Sequence, residues 1–371
     1  MGGKDNTYKK QKIDNNSKVS KKVILITGGC GFIGVNSTKY YLKKDYKVIV
    51  LDDLSRIGSE QNLEWLKSIK DNFIFEKVDI RNYASMVIVF KKYKPNLILH
   101  LAGQTTVTGS IENPREDFEI NALGTFNVLE AMRNATPKAS LVYSSTNKVM
   151  GELADIPIRE EKSRYVFKNI KGISEKQPLD FCSPYGCSKG CGDQYVLDYA
   201  RIYKLNTIVF RQSCIYGARQ FGIEGQGWLA WIVSSLIFNN PLNLYGNGKQ
   251  VRDVLHIDDL MNAFDLAFTN IKKTKGKAYT IGGGFRSAIS ILEFFEILEN
   301  ISGKKIIYKI KPWRLADQKV YISDISSAKR DFGWIPQITP EEGIKTMYEW
   351  ILQNKHLISK SGVFKNLKTK I

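Results

Sequence analysis

The feature that most limits what this chain can fold into is a short apolar run, Val23-Ile24-Leu25-Ile26, followed at once by the turn Gly28-Gly29-Cys30-Gly31-Phe32-Ile33-Gly34. Such an uncharged, largely β-branched run reads as a parallel strand buried on both faces. Gly28, Gly31 and Gly34 let the backbone turn tightly, approach a ligand closely and seat the next helix against the strand. The spacing predicts a helix from about Phe32 to Lys44, whose first amides and positive dipole end suit a pyrophosphate. A second apolar strand, Lys47 to Leu51, ends at Asp52-Asp53. An acid at that strand end accepts both hydroxyls of an adenosine ribose and repels a 2′-phosphate, which favours NAD over NADP. Arg56 is the one nearby residue that keeps NADP open.

The alternation continues. Phe73-Ile74-Phe75 leads to Asp79-Ile80, placed to close over an adenine edge. Asn96 to His100 ends at Leu101-Ala102-Gly103-Gln104, small residues where a cofactor can pass along a sheet. Ser140 to Tyr143 ends at Ser144-Ser145-Thr146. Strands alternating with helical stretches imply an α/β fold with a doubly wound parallel sheet and ligands outside the carboxyl ends of its strands. Every motif named so far falls at such an end.

A second set of residues carries reaction chemistry. Ser183-Pro184 reads as a helix start, with a capping hydroxyl and proline at the first helical position. Tyr185 and Lys189 are then four apart on that helix and share a face. An ammonium beside a phenol is expected to favour the phenolate and draw its pKa from about 10 toward neutrality. Such a tyrosine can take a proton from a sugar hydroxyl as hydride leaves the same carbon. Lys189 can also hold a nicotinamide ribose, and Thr146 can hydrogen-bond the reacting oxygen. Strand, turn and acid together with Thr146, Tyr185 and Lys189 point to a redox enzyme.

At this point the chain resembles the extended short-chain dehydrogenase/reductases that modify nucleotide-diphosphate sugars. Within them it is similar to the CDP-paratose (CDP-tyvelose) 2-epimerases. The residues that carry the closer likeness are His100 to Gln104, Tyr143-Ser144-Ser145-Thr146-Asn147-Lys148-Val149, Ser183-Pro184-Tyr185-Gly186-Cys187-Ser188-Lys189-Gly190 and Gly246 to His256. The resemblance runs from about Lys22 to Trp350. It implies a Rossmann domain with a smaller C-terminal α/β substrate-binding domain, and a homo-oligomer that pairs through helices flanking the sheet. It also implies oxidation of a sugar at C2 by tightly held NAD, rotation of the keto-sugar and return of hydride to the opposite face. Tyr185 is then the base, Lys189 its partner and Thr146 the polarising hydroxyl, in a pathway for surface glycans such as lipopolysaccharide.

Two details separate the chain from related types. Sugar-nucleotide 4,6-dehydratases resemble this fold but carry an Asp-Glu pair after the threonine, where this chain has Asn147-Lys148. The separation between Thr146 and Tyr185 is long, with a polar insert from about Arg159 to Asp180, as the 2-epimerases have and galactose-type 4-epimerases lack. One departure is Met150, where the family has an aromatic residue before Gly151; it is expected to alter the pocket wall. Arg252 and Arg314 are the candidates for the substrate diphosphate, since a guanidinium fork donates bidentate bonds to phosphate. Gln226-Gly227-Trp228 is expected to line the same pocket.

The expected division is a basic tail (1–20), a cofactor domain (21–210, with about 251–282 returning to it), a nucleotide-sugar domain (211–250 and 283–358) and a second basic tail (359–371). A chain of 371 residues with 43% hydrophobic content can bury such cores. The stretch Trp228 to Phe238 is too short to span a bilayer and reads as a buried helix. The first residues lack an apolar signal region, and five cysteines, an odd number, fit reduced thiols in a cytoplasm. Cys182, Cys187 and Cys191 cluster without C-x-x-C spacing or a matching histidine, which argues against zinc. The net charge of +18 is lysine spread through the chain, with no nucleic-acid motif beside it. The other readings are a 4-epimerase or reductase of a related sugar nucleotide, and a non-catalytic nucleotide or nucleic-acid binder on the same fold.

Overall fold

The computed structural model describes residues 21–69 and 72–364. The expected basic tail at 1–20 and the lysines at 365–370 lie outside the described residues. Seven parallel strands form the main sheet, in the order Lys277–Ile281, Asn206–Gln212, Ser140–Thr146, Leu97–His100, Val23–Thr27, Lys47–Asp52, Phe73–Lys77. The strand order reverses about Val23–Thr27, which pairs with Lys47–Asp52 on one side and Leu97–His100 on the other. A crevice forms at such a switch point. In-register pairing brings Thr27, Asp52, His100, Thr146 and Gln212 to one edge of the sheet.

The uninterrupted apolar runs are explained by burial on both faces. Ile24, Ile26, Val48 and Val50 pack into one core, and Leu25, Ile49 and Leu51 into the core on the opposite face. Each such side chain contributes about 1.5–3 kcal/mol when fully buried. Helix Phe32–Lys43 follows the glycine turn, and helix Pro184–Tyr203 begins at Ser183, whose side chain accepts from the Gly186 amide at 3.1 Å.

Beyond Gln212 the chain builds two smaller sheets. Strand Leu242–Tyr245 pairs with Tyr308–Lys311, and Val251–His256 pairs with Ala288–Ser290, Val320–Tyr321 and Cys214–Tyr216. Strand Val251–His256 therefore lies outside the main sheet, and the chain returns through helix Ile257–Thr269 and strand Lys277–Ile281. A third apolar core gathers helix Trp228–Ile237 with Phe294, Leu298, Ile344 and Met347. The polar insert forms a hairpin, Ile158–Glu160 with Tyr165–Phe167, and joins this half through Tyr165 N to Lys249 O (2.8 Å) and an Ile173–Ser323 bridge.

Residues 359–364 are not a basic tail. They finish helix Lys355–Ser361, bury Val363 and place the Phe364 ring against Trp231 and Phe238, because apolar side chains follow the lysines. Among the described residues no helix is long and apolar enough to cross a membrane.

Candidate active site

The glycine turn explains its own composition. Gly28 has φ +66°, and a Cβ there would lie 2.7 Å from the Ala102 amide nitrogen; at Gly34 it would lie 2.1 Å from the Gly28 carbonyl. The first position needs left-handed backbone beside a neighbouring strand, and the third lets the helix sit on the turn. Gly31 caps helix Phe32–Lys43 with no side-chain bond, so its first amides stay available to an anion. Phe32, Ile33 and Leu101 line the adjoining cavity, while the amides of Leu101 and Ala102 donate to Thr27 Oγ1, each at 3.2 Å.

Asp52 is buried and accepts from Cys30 N at 2.9 Å and Leu54 N at 2.8 Å. Burial raises its pKa, and those bonds oppose the rise. Each carboxylate oxygen keeps a lone pair for a ribose diol. Asp53 is half-buried and accepts from Ser55 N and Oγ. Arg56 does not wait for a 2′-phosphate. Its guanidinium turns into the cleft, donating to Thr105 Oγ1 at 2.8 Å and to Gln226 Oε1. The turn, the uncapped helix start and Asp52 together fit an NAD-type dinucleotide.

Three other expected cofactor residues are engaged with neighbouring groups. Asp79 is held by the Arg81 guanidinium at 2.6–3.1 Å, and Ile80 is buried against Gly124. Gln104 folds back, accepting from Thr106 N at 2.5 Å and donating to Thr106 O at 2.8 Å, because it closes the turn before helix Val107–Glu112. It does not line the cavity.

Thr146, Tyr185 and Lys189 come together as expected, buried on one wall of a cavity of about 570 Å³. The expected electrostatics do not hold. Burial pushes the Tyr185 phenol up to about 12, with the Thr146 hydrogen bond opposing, the Asp117 charge adding and Arg56 opposing. Burial likewise pushes the Lys189 ammonium down to about 7, against the pull of Asp193 and Asp117. Lys189 Nζ lies 4.2 Å from the centre of the Tyr143 ring. Desolvation thus disfavours the very charge that was to lower the phenol.

Several buried groups at the site carry no signal in the sequence. Asn121 lies in a π-helical turn, Glu119–Leu123, with Nδ2 3.1 Å from each of Asp117 Oδ1, Ser188 Oγ and the Gln104 carbonyl. Single π turns gather at functional sites, and no periodicity announces one. Asp193, one helical turn beyond Lys189, pairs with Arg211 through two 2.9 Å bonds and accepts from Ser145 Oγ, fixing the helix to the strand that carries Thr146. His100 bridges the Thr27 and Thr125 hydroxyls, and burial holds it near 3, hence neutral.

The cavity continues away from the phenol. Gln226 and Arg314 line it, and Arg314 Nη2 donates to the Glu224 carbonyl at 2.8 Å while its guanidinium stacks 3.9 Å above the Tyr245 ring. Arg252 lines an adjoining cavity of about 210 Å³ that shares Lys148, Arg314 and Asp317 with the first. The two positions after Thr146 hold no carboxylate: Asn147 Nδ2 donates to Gln318 Oε1 at 3.1 Å, and Lys148 Nζ to the Ala316 carbonyl at 2.8 Å. Met150 is not on the pocket wall. It ends the short helical turn Asn147–Met150 and is buried in a core with Val149, Tyr165, Phe167 and Tyr321. All five cysteines are free, and among the described residues no cluster of His, Cys, Asp or Glu is arranged for a metal.

The switch-point sheet and the Thr146, Tyr185, Lys189 set define an extended short-chain dehydrogenase/reductase. The chain belongs to the family described as GDP-mannose 4,6 dehydratase, which matches residues 25–347. It is 44% identical over 333 residues (88% of this chain, 98% of the relative) to the CDP-paratose 2-epimerase of Salmonella typhi. Two solved structures share its fold. One is the UDP-glucose 4-epimerase of Thermotoga maritima with UDP-glucose (TM-score 0.76, 28% identity, 90% of this chain and 99% of that one). The other is the dTDP-glucose 4,6-dehydratase of Bacillus anthracis in complex with NAD (TM-score 0.77, 29% identity, 92% and 99%).

Proposed function

We propose that this NAD-dependent nucleotide-sugar epimerase inverts C2 of a CDP-linked deoxyhexose, interconverting CDP-paratose and CDP-tyvelose. The observation that carries the reading is the order of groups along the joined cavities. A hydroxyl and phenol for the sugar come first (Thr146, Tyr185). A cationic neck for a diphosphate follows (Lys148, Arg252 and Arg314, with Asp317 among them), and then a largely apolar chamber that holds Glu224. Support for C2 comes from the 44% identical relative. Support for cytosine comes from Glu224, whose Oε1 accepts from Asn243 Nδ2 (2.7 Å) and Tyr245 Oη (3.1 Å), while Leu242, Ile291 and Phe295 supply apolar walls. A carboxylate accepts from the exocyclic amine of cytosine and repels the carbonyl that uracil has there.

Bound NAD supplies a hydride acceptor and then a hydride donor, held at the glycine turn and Asp52. Tyr185 takes the proton of the C2 hydroxyl as that carbon is oxidised, and returns it when the keto-sugar is reduced on its other face. Thr146 Oγ1 hydrogen-bonds the same oxygen, and Lys189 holds the nicotinamide ribose beside Gly103. Burial raises the Tyr185 pKa, and the positive charge of an oxidised nicotinamide bound there would oppose it. Without carboxylates at 147 and 148, elimination of water has no acid and base, so oxidation is followed by return of hydride. Five free thiols suit a reducing cytoplasm. Exposed Phe118, Phe126, Tyr195, Ile202 and Tyr203 on the helices flanking the sheet suit a homo-oligomer contact.

The test is incubation of the purified enzyme with CDP-paratose or CDP-tyvelose and no added cofactor, followed by NMR of the sugar protons. Interconversion at C2 is expected. Inversion at C4, or inertness even with NAD added, would overturn the proposal.

A further inference from the structure

The neck between the two cavities holds more charge than two arginines. Lys148 lines both cavities, and its side chain is only 15% exposed. It donates to the Ala316 carbonyl at 2.8 Å and stands 3.8 Å from Asp317 Oδ1. The same carboxylate oxygen accepts from Arg252 Nη2 at 2.6 Å, and Arg252 Nη1 donates to the Val251 carbonyl at 2.7 Å. Burial, then the nearby Arg252 charge, depresses the Lys148 pKa, and Asp317 opposes that. Two buried cations thus share one carboxylate. Asp317 comes from the segment Pro312–Asp317, which also carries Arg314 and holds Ala316 at φ +56°, a backbone conformation rarely adopted by residues other than glycine.

Buried cations without an anion are costly, and Asp317 meets that need in the neck. A diphosphate arriving between Lys148, Arg252 and Arg314 brings negative charge to the place Asp317 holds. Two like charges there repel, so one must leave. We propose that Lys148 is a third diphosphate-binding cation of this enzyme, and that Asp317 is a stand-in anion which the substrate's diphosphate displaces. This rests on the nucleotide-sugar reading of the site.

The experiment is calorimetric titration of the NAD-loaded enzyme with CDP, UDP and dTDP, and with the nucleoside of whichever binds most tightly. The gain in affinity from nucleoside to diphosphate isolates the neck. Lys148→Met is expected to reduce that gain by about 10- to 100-fold, with nucleoside affinity unchanged, and Lys148→Arg to restore part of it. Asp317→Asn is expected to increase the gain several-fold, roughly 3- to 10-fold, and to give a larger diphosphate-induced rise in Tm than the unchanged enzyme. A Lys148→Met enzyme that keeps the full gain, or an Asp317→Asn enzyme that loses it, overturns the inference while leaving the nucleotide-sugar reading standing. If no nucleoside diphosphate binds the unchanged enzyme more tightly than its nucleoside, both fall.

Discussion

On the proposed reading, the glycine turn and the cationic neck answer the same physical problem, holding a diphosphate, with opposite means. In the turn the donors are backbone amides at an uncapped helix start, and the crowding is such that a Cβ at Gly34 would lie 2.1 Å from a carbonyl. In the neck the proposed donors are side-chain cations from positions 148, 252 and 314, with Asp317 placed among them. A site made from backbone is continuous in sequence and tolerates almost no side chain. One made from charge is assembled from distant segments and needs its own counter-ion between substrates. The first suits a cofactor that stays, and the second a substrate that comes and goes.

The largest effect expected separates chemistry from both sites. Tyr185→Phe should lower kcat by at least about 10³-fold while NAD content and nucleotide affinity stay unchanged, as read by steady-state kinetics and by absorbance of released cofactor. Substantial residual turnover would remove Tyr185 from the role of base. Gly34→Ala attacks the backbone-built site alone. It should cost about 3 kcal/mol in denaturant unfolding and strip NAD from the purified protein, whereas Lys148→Met should leave NAD content intact. Loss of NAD in both variants would erase the contrast between the two regions.

A second buried carboxylate follows Arg252 in the same strand, Val251–His256. Asp253 accepts from Ser213 Oγ at 2.5 Å, Ser323 N at 3.0 Å and Gly284 N at 3.1 Å, and burial raises its pKa to about 6 despite those bonds. Because the folded value lies above the ordinary 3.8, the folded state holds the proton more tightly. The stabilisation from that proton is fully present below about pH 4 and is lost as pH rises through about 6, with a slope of up to about 1.4 kcal/mol per pH unit. Urea unfolding across pH 4–7 should show this slope, and Asp253→Asn should flatten it. A slope unchanged in the variant would place the titration elsewhere. The smallest effect expected is at the far end of the neck. Glu224→Gln should narrow the preference for CDP over UDP by about 10-fold with NAD content unchanged, and an unaltered preference would mean that other groups read the base.

The half built from backbone is also the half legible in the sequence. Val23 to Ile26, the three glycines and Asp52 lie within one stretch, and each residue type has a single local reason to be there. Ser183-Pro184 marks the start of its helix for the same reason, since capping is decided within one turn. What escapes is set by groups distant in sequence. Met150 faces a core formed with the insert and residues beyond 250, so the likeness at that position says nothing about where its side chain points. Gln104 is spent on its own loop. The direction of the Tyr185 pKa follows from burial by the assembled walls, which a four-residue spacing to Lys189 does not encode. Asp317 lies far along the chain from Lys148 and Arg252, and only the fold makes them neighbours.

The most direct test of the central claim follows a hydrogen rather than a product. The enzyme is supplied with CDP-paratose carrying deuterium at C2, in ordinary water and without added cofactor, and the CDP-tyvelose formed is analysed by mass spectrometry and NMR. Oxidation and return of hydride within one NAD-loaded site predicts that the deuterium stays at C2 of the inverted product. Epimerised product in which solvent hydrogen has replaced the label would mean that C2 is inverted by proton abstraction, and would contradict a hydride-transfer role for the NAD held at the glycine turn and the matching role of Tyr185 as base for the C2 hydroxyl.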